Sequence, residues 1–157
     1  MIVYHMRMVT RFFLLAVLLS CYAFAQELTP AEKSFQDSMV NIALVGFYTD
    51  GDKADLYEDR YVIERVSKVA GKEDMWKFEA RVQYNKKDMK VAMNFPVKFA
   101  GDTPVISLTN YAVPGFGIFT ARVVIYDGGY AGTWGGTKHG GKMFGKIVKN
   151  EPAEAKK

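Results

Sequence analysis

Along most of the chain apolar and polar residues alternate one for one. In Trp76-Lys77-Phe78-Glu79-Ala80-Arg81-Val82-Gln83-Tyr84 the even positions are apolar or aromatic and the odd positions charged or polar, the period of an antiparallel strand with one buried face. Met89 to Phe99 repeats the rule with odd positions inward, and Asn85-Lys86-Lys87-Asp88 joins the two runs at hairpin length. Pro96 falls on the polar face of the second run; it has no N–H to give a ladder, so it marks an edge or a bulge. The same grammar predicts strands over 41–48, 57–69, 105–109, 119–125, 130–134 and 142–148, separated by turn-rich segments such as Asp50-Gly51-Asp52 and Asp127-Gly128-Gly129.

Only 29–39 departs from this period. Thr29 as N-cap, Pro30 in the first helical position and Glu32 in the first turn predict a short helix. About eight strands with short connections, and no helical stretch long enough for a parallel crossover, predict an all-β antiparallel up-and-down barrel preceded by that helix. A two-sheet β-sandwich is the alternative. Either is one domain over 40–149, with a helical lead-in at 26–39 and a charged, apolar-poor tail at 150–157 expected to be disordered.

The first 25 residues carry Arg7 and Arg11, an apolar run from Phe12 to Leu19 and a small-x-small site at Ala23-Phe24-Ala25, the layout of a secretory signal peptide cleaved after Ala25. The run is shorter than the roughly 20 apolar residues that span a bilayer. A periplasmic or secreted protein with no integral membrane segment after cleavage is therefore expected. The alternative is lipidation at Cys21, behind Leu18-Leu19-Ser20. Cleavage also removes two of the 21 basic residues that face 17 acids, leaving a nearly balanced chain without the basic stripe of a nucleic-acid binder.

Cys21 is the only cysteine, so the mature chain has no disulfide, thiolate metal site or cysteine nucleophile. Of two histidines only His139 survives cleavage, too few for a His-based metal site, and no metal or cofactor is expected. His139 stands beside Gly140-Gly141, where it could act as a general base toward Thr137, Thr133 or Ser107, but the Gly-x-Ser-x-Gly elbow of serine hydrolases is absent. A hydrolase is accordingly the third functional reading, with no residue assigned as catalytic. Glu58, Asp59, Glu64, Glu73, Asp74 and Glu79 are expected in turns or on solvated strand faces.

Simple alternation puts Arg65 on the face of Tyr61 and Ile63 unless a bulge intervenes, and an inward arginine needs a carboxylate or an anionic ligand. The many aromatics at period 2 supply a core, and an eight-stranded barrel either fills with side chains or holds one small ligand. The leading expectation is non-catalytic binding of a small apolar or amphipathic molecule, with Trp134, Trp76 and Tyr61 lining the interior, Arg65 as an anion contact and His139 as a further ligand-binding residue. The alternative is a cell-envelope interaction protein with a filled core, meeting its partner through an exposed loop over 111–117.

Eight of the fourteen glycines lie between Gly128 and Gly145. The segment lacks the order of a phosphate-binding loop and predicts a closing hairpin instead, with Gly132 and Gly145 relieving backbone crowding. Tyr130-Ala131-Gly132-Thr133-Trp134 with Gly140-Gly141-Lys142-Met143-Phe144-Gly145-Lys146-Ile147, together with Ala100 to Ile106 and Val113-Pro114-Gly115-Phe116-Gly117, resembles a group of small exported bacterial proteins of uncharacterised function. More distantly, Gly132-Thr133-Trp134 is similar to the Gly-x-Trp of lipocalin-like (calycin) barrels, which carry theirs on the first strand. That resemblance implies a ligand-holding barrel.

Overall fold

The structure, a computed structural model, describes residues 27–84, 87–114 and 117–151. Residues 1–26, which include the expected signal peptide and Cys21, and the segment 152–157 lie outside the described residues. Among the described residues one helix, α1 (Pro30–Ser38), precedes eight strands: β1 (Ile42–Tyr48), β2 (Tyr57–Lys68), β3 (Met75–Tyr84), β4 (Lys87–Ala100), β5 (Thr103–Val113), β6 (Gly117–Tyr126), β7 (Gly129–Gly135) and β8 (Gly140–Lys149). They form a closed antiparallel barrel in chain order, β8 returning to β1 with Leu44 opposite Ile147. Up-and-down order follows from the short turns, and closure pairs both terminal strands, leaving no sheet edge at either.

The two ends differ. The start of β1 and the end of β2 sit at the end covered by α1. There the Thr29 hydroxyl accepts from the Glu32 N–H and the Glu32 carboxylate accepts from the Thr29 N–H, a reciprocal cap that starts the helix. Phe35 points into the lumen and meets Trp76 edge-on at 5.1 Å and Phe99 at 5.9 Å. Trp76 and Met39 are 0% exposed, so the helix acts as a plug that completes this half of the core. A buried ion pair between Lys68 of β2 and Glu32 fastens it. Burial would raise the Glu32 carboxyl, but the bond from Lys68, the Thr29 N–H and the Lys68 charge together hold it below its ordinary value.

Two irregularities redirect side chains. Between Ile63 and Arg65 the β2–β3 register slips by one residue, so Ile63 faces Ala80 while Arg65 faces Glu79. The bulge turns Arg65 to the outer wall and brings Val66 inside. On β5 a second slip between Leu108 and Tyr111 places Asn110 at φ 48, its N–H donating to Thr120 Oγ1. The sequence shortened this strand to 105–109; it runs on to Val113, so residues 111–113 of the expected partner loop are strand, and 115–116 lie outside the described residues.

Pro96 marks a discontinuity, as its missing N–H implies. The β4–β5 ladder holds only from Val97 opposite Ile106 to Ala100 opposite Thr103, whereas β3 and β4 pair along the whole of β3. Above Pro96 the two strands are bridged instead by Tyr111, whose hydroxyl donates to the Asn94 carbonyl and whose ring meets Phe95 at 5.5 Å. The inward apolar residues Val91, Met93 and Phe95 flank this seam and are only partly buried.

Candidate functional site

Register aligns inward side chains in rows around the wall. Nearest the end opposite α1, called the open end because no described helix covers it, Tyr57, Tyr48, Met143 and Gly132 stand side by side on β2, β1, β8 and β7. One step deeper come Asp59, Gly46, Gly145 and Tyr130, and below them Tyr61, Leu44 and Ile147. A carboxylate therefore sits in a row that is otherwise glycine and tyrosine, beneath a rim of aromatic rings.

The glycines make the row possible. A Cβ on Gly46 would fall 2.1 Å from the Phe144 carbonyl oxygen and 2.7 Å from Tyr130 Oη, and one on Gly145 would fall 2.6 Å from Tyr130 Cε1. Both are below any contact a real Cβ tolerates, so the Tyr130 ring lies in a slot that only two adjacent glycines leave open. Lying across them, Tyr130 donates to Asp59 Oδ1 at 2.7 Å. The ring is 3% exposed.

Asp59 Oδ2 is fully buried and meets no donor in hydrogen-bond geometry, while the Tyr61 hydroxyl acts on the same carboxyl group. Burial raises the Asp59 carboxyl above its ordinary value, and the bonds from Tyr130 and Tyr61 recover only part of that rise. Among the described residues no cationic side chain acts on it. Burial and then the bond to Asp59 push the Tyr130 hydroxyl far above its ordinary value, so it serves as a donor and not as an acid. The sequence reading put Asp59 on a solvated face; the structure places it inside. The signal that would have found it is the alternation of Tyr57, Asp59, Tyr61 and Ile63 on one face of β2.

At the rim Tyr48 stacks on Tyr57 at 5.4 Å and meets Trp134 edge-on at 5.9 Å, and Trp134 Nε1 donates to the Thr49 carbonyl at 3.2 Å. Trp134 and Tyr61, two of the residues expected to line the interior, thus belong to the open half with Asp59. Trp76 does not: it lies at the plugged end, fully covered by Phe35 and Phe99, and leaves no surface for a ligand.

Arg65 is corrected outright as an inward anion contact. Its side chain is 65% exposed and forms a bidentate pair with Glu79 on the outer wall, at 2.7 and 3.0 Å. The same bonds, with that from Lys77, hold the Glu79 carboxyl down to about 2. His139 occupies the exposed β7–β8 turn, its Nδ1 3.3 Å from Asp50 Oδ1. Of its suggested nucleophiles, Ser107 lies on β5 with its hydroxyl turned to the Val105 carbonyl, and Thr133 lies opposite Lys142 and Arg122.

A separate cleft of about 370 Å³ opens at the plugged end between α1 and the β4–β5 and β6–β7 turns, lined by Ser34, Ser38, Asp102 and Tyr126 among others. It contains none of the residues expected from the sequence to bind a ligand. Among the described residues no group of three or more His, Cys, Asp or Glu is placed to hold a metal ion, and no helix is long and apolar enough to cross a membrane. No protein-family model matches the chain, and neither a curated protein nor a solved structure does.

Proposed function

We propose that this is an exported, lipocalin-like protein that binds a small amphipathic molecule in the open half of its barrel. The observation that carries the reading is the contrast between the two halves. Toward α1 the inward side chains Trp76, Phe78 and Val97 are buried, whereas in the open half Tyr48, Val91, Tyr111, Trp134 and Met143 remain partly uncovered. Apolar surface left uncovered on an inward wall is what an apolar chain would cover, at about 25 cal/mol per Å² removed from water. The unladdered seam between β4 and β5 widens access to the same surface.

The two tryptophans provide the test, since one sits in each half. Titration with decanol should give a saturable blue shift of tryptophan emission that disappears in Trp134→Phe, and native mass spectrometry of protein from its own source should show an adduct of lipid mass. Absence of both a saturable shift and an adduct would sink the reading.

A second reading, an envelope interaction protein, is favoured by the outer wall of β1 and β8. Phe47 and Phe144 are 38% and 45% exposed with ring centroids 6.2 Å apart, and Val45 and Val148 stand beside them. Such a patch is the usual mark of a contact surface. Changing Phe47 and Phe144 together to Ser should abolish cross-linking to a partner and leave decanol binding intact; cross-linking that is unaltered would remove this reading.

A further inference from the structure

We propose that the open half recognises the ammonium head of a primary or secondary alkylamine, with Asp59 Oδ2 as acceptor and the rings of Tyr48, Tyr57 and Trp134 as the surrounding wall. The inference rests on the reading of the barrel as an amphiphile binder and names the head group that reading leaves open.

Three observations converge on it. Asp59 Oδ1 is satisfied by Tyr130, but Oδ2 is buried without a donor in hydrogen-bond geometry. A buried carboxylate oxygen left in this state costs free energy that a ligand N–H recovers, and a charged donor recovers more than a neutral one. Second, among the described residues burial and two tyrosine hydroxyls act on the carboxyl, and no lysine, arginine or histidine does. Third, the row directly above Asp59 holds Tyr57 and Tyr48, stacked on each other, with Trp134 set edge-on against Tyr48. Aromatic faces attract a cation and tolerate an alkyl chain, so the same rings suit both parts of an alkylammonium.

The arrangement also discriminates. An anionic head would meet an unpaired carboxylate oxygen and an electron-rich rim. A neutral alcohol could donate to Oδ2 without neutralising the charge. A quaternary ammonium brings charge and fits the aromatic rim but has no N–H for Oδ2. The expected order of affinity is primary ammonium, then quaternary ammonium, then neutral, then anionic.

The experiment compares ligands of one chain length on the full mature protein at pH 7: decylamine, decyltrimethylammonium, decanol and decanoate, followed by Trp134 emission and by calorimetry. Wild type should bind decylamine at least about tenfold more tightly than decanol, the margin expected of one charge-assisted hydrogen bond. Asp59→Asn should erase that preference, with circular dichroism confirming an intact barrel. Tyr61→Phe, which keeps the carboxylate, should retain the preference. Equal affinity for the four ligands in wild type, or a preference for decylamine that survives in Asp59→Asn, overturns the head-group assignment while the binding reading stands. If none of the four binds, the reading it rests on falls with it.

Discussion

Tyr130 reaches Asp59 across two glycines. Its hydroxyl donates to Oδ1 at 2.7 Å across two intervening strands, over Gly145 and Gly46, which are cross-strand neighbours of each other. The bond exists because neither glycine carries a Cβ, and each would collide with the Tyr130 ring or hydroxyl if it did. The dense glycine segment thereby gains a function beyond turning the chain: it clears a path for one side chain.

Gly46→Ala should therefore destabilise the fold by on the order of 1–3 kcal/mol, the usual cost of forcing a methyl into a packed interior. Denaturant unfolding measures the loss. Gly51→Ala is not a fair control, since Gly51 has φ 65; Gly135→Ala is, because a Cβ there meets nothing nearer than 3.9 Å. Equal stability of Gly46→Ala and wild type would contradict the slot.

Asp59→Asn should raise the melting temperature at pH 7. Burial lifts the folded-state pKa above the ordinary 3.8 of an aspartate, so the folded state holds the proton more tightly than the unfolded chain. Its stabilising contribution is complete below about 3.8 and is lost as pH rises through the folded-state value. At neutral pH the ionised group is a burden that Asn removes while still accepting from Tyr130. The difference between variant and wild type should shrink as pH is lowered toward 3.8. A gain that is constant across this range would refute the assignment.

Lys68→Met should loosen the plug. Removing one member of the buried Lys68–Glu32 pair strands the other charge, which costs about 3 kcal/mol. The double variant Glu32→Gln, Lys68→Met should regain most of that, since no charge is left behind and Gln still completes the helix cap. Thermal melts of the three variants decide it; a double variant no better than Lys68→Met shows that the charge was not the cause.

Hydrogen exchange should single out the seam. Amides of 90–94 directed toward β5, and those of 111–113 directed toward β4, lack ladder partners and should exchange at least about tenfold faster than those of 77–80. Tyr111→Phe removes the bond to the Asn94 carbonyl and should widen the difference. Uniform protection across β3, β4 and β5 would show that the strands do not part above Pro96.

The alternation of the chain determined the positions of the eight strands to within a few residues, and the Thr29, Pro30 and Glu32 pattern determined the helix. Both depend on near neighbours in sequence, and one buried face imposes period 2 on each strand by itself. Pro96 likewise announced a break in pairing, because a missing N–H is a property of the residue alone. What only tertiary structure decided were the relationships between distant strands. One extra residue at Glu64 carried Arg65 outside, and no local pattern counts bulges. Asp59 follows the alternation of β2 to the inner face, but its partner came from afar: Tyr130, 71 residues away, lies over Gly46 and Gly145 to meet it. Trp76 and Trp134 looked equivalent in sequence and were separated by the helix that plugs one end. A strand's own residues specify which side is apolar, but closure of the barrel specifies which polar residues share its interior.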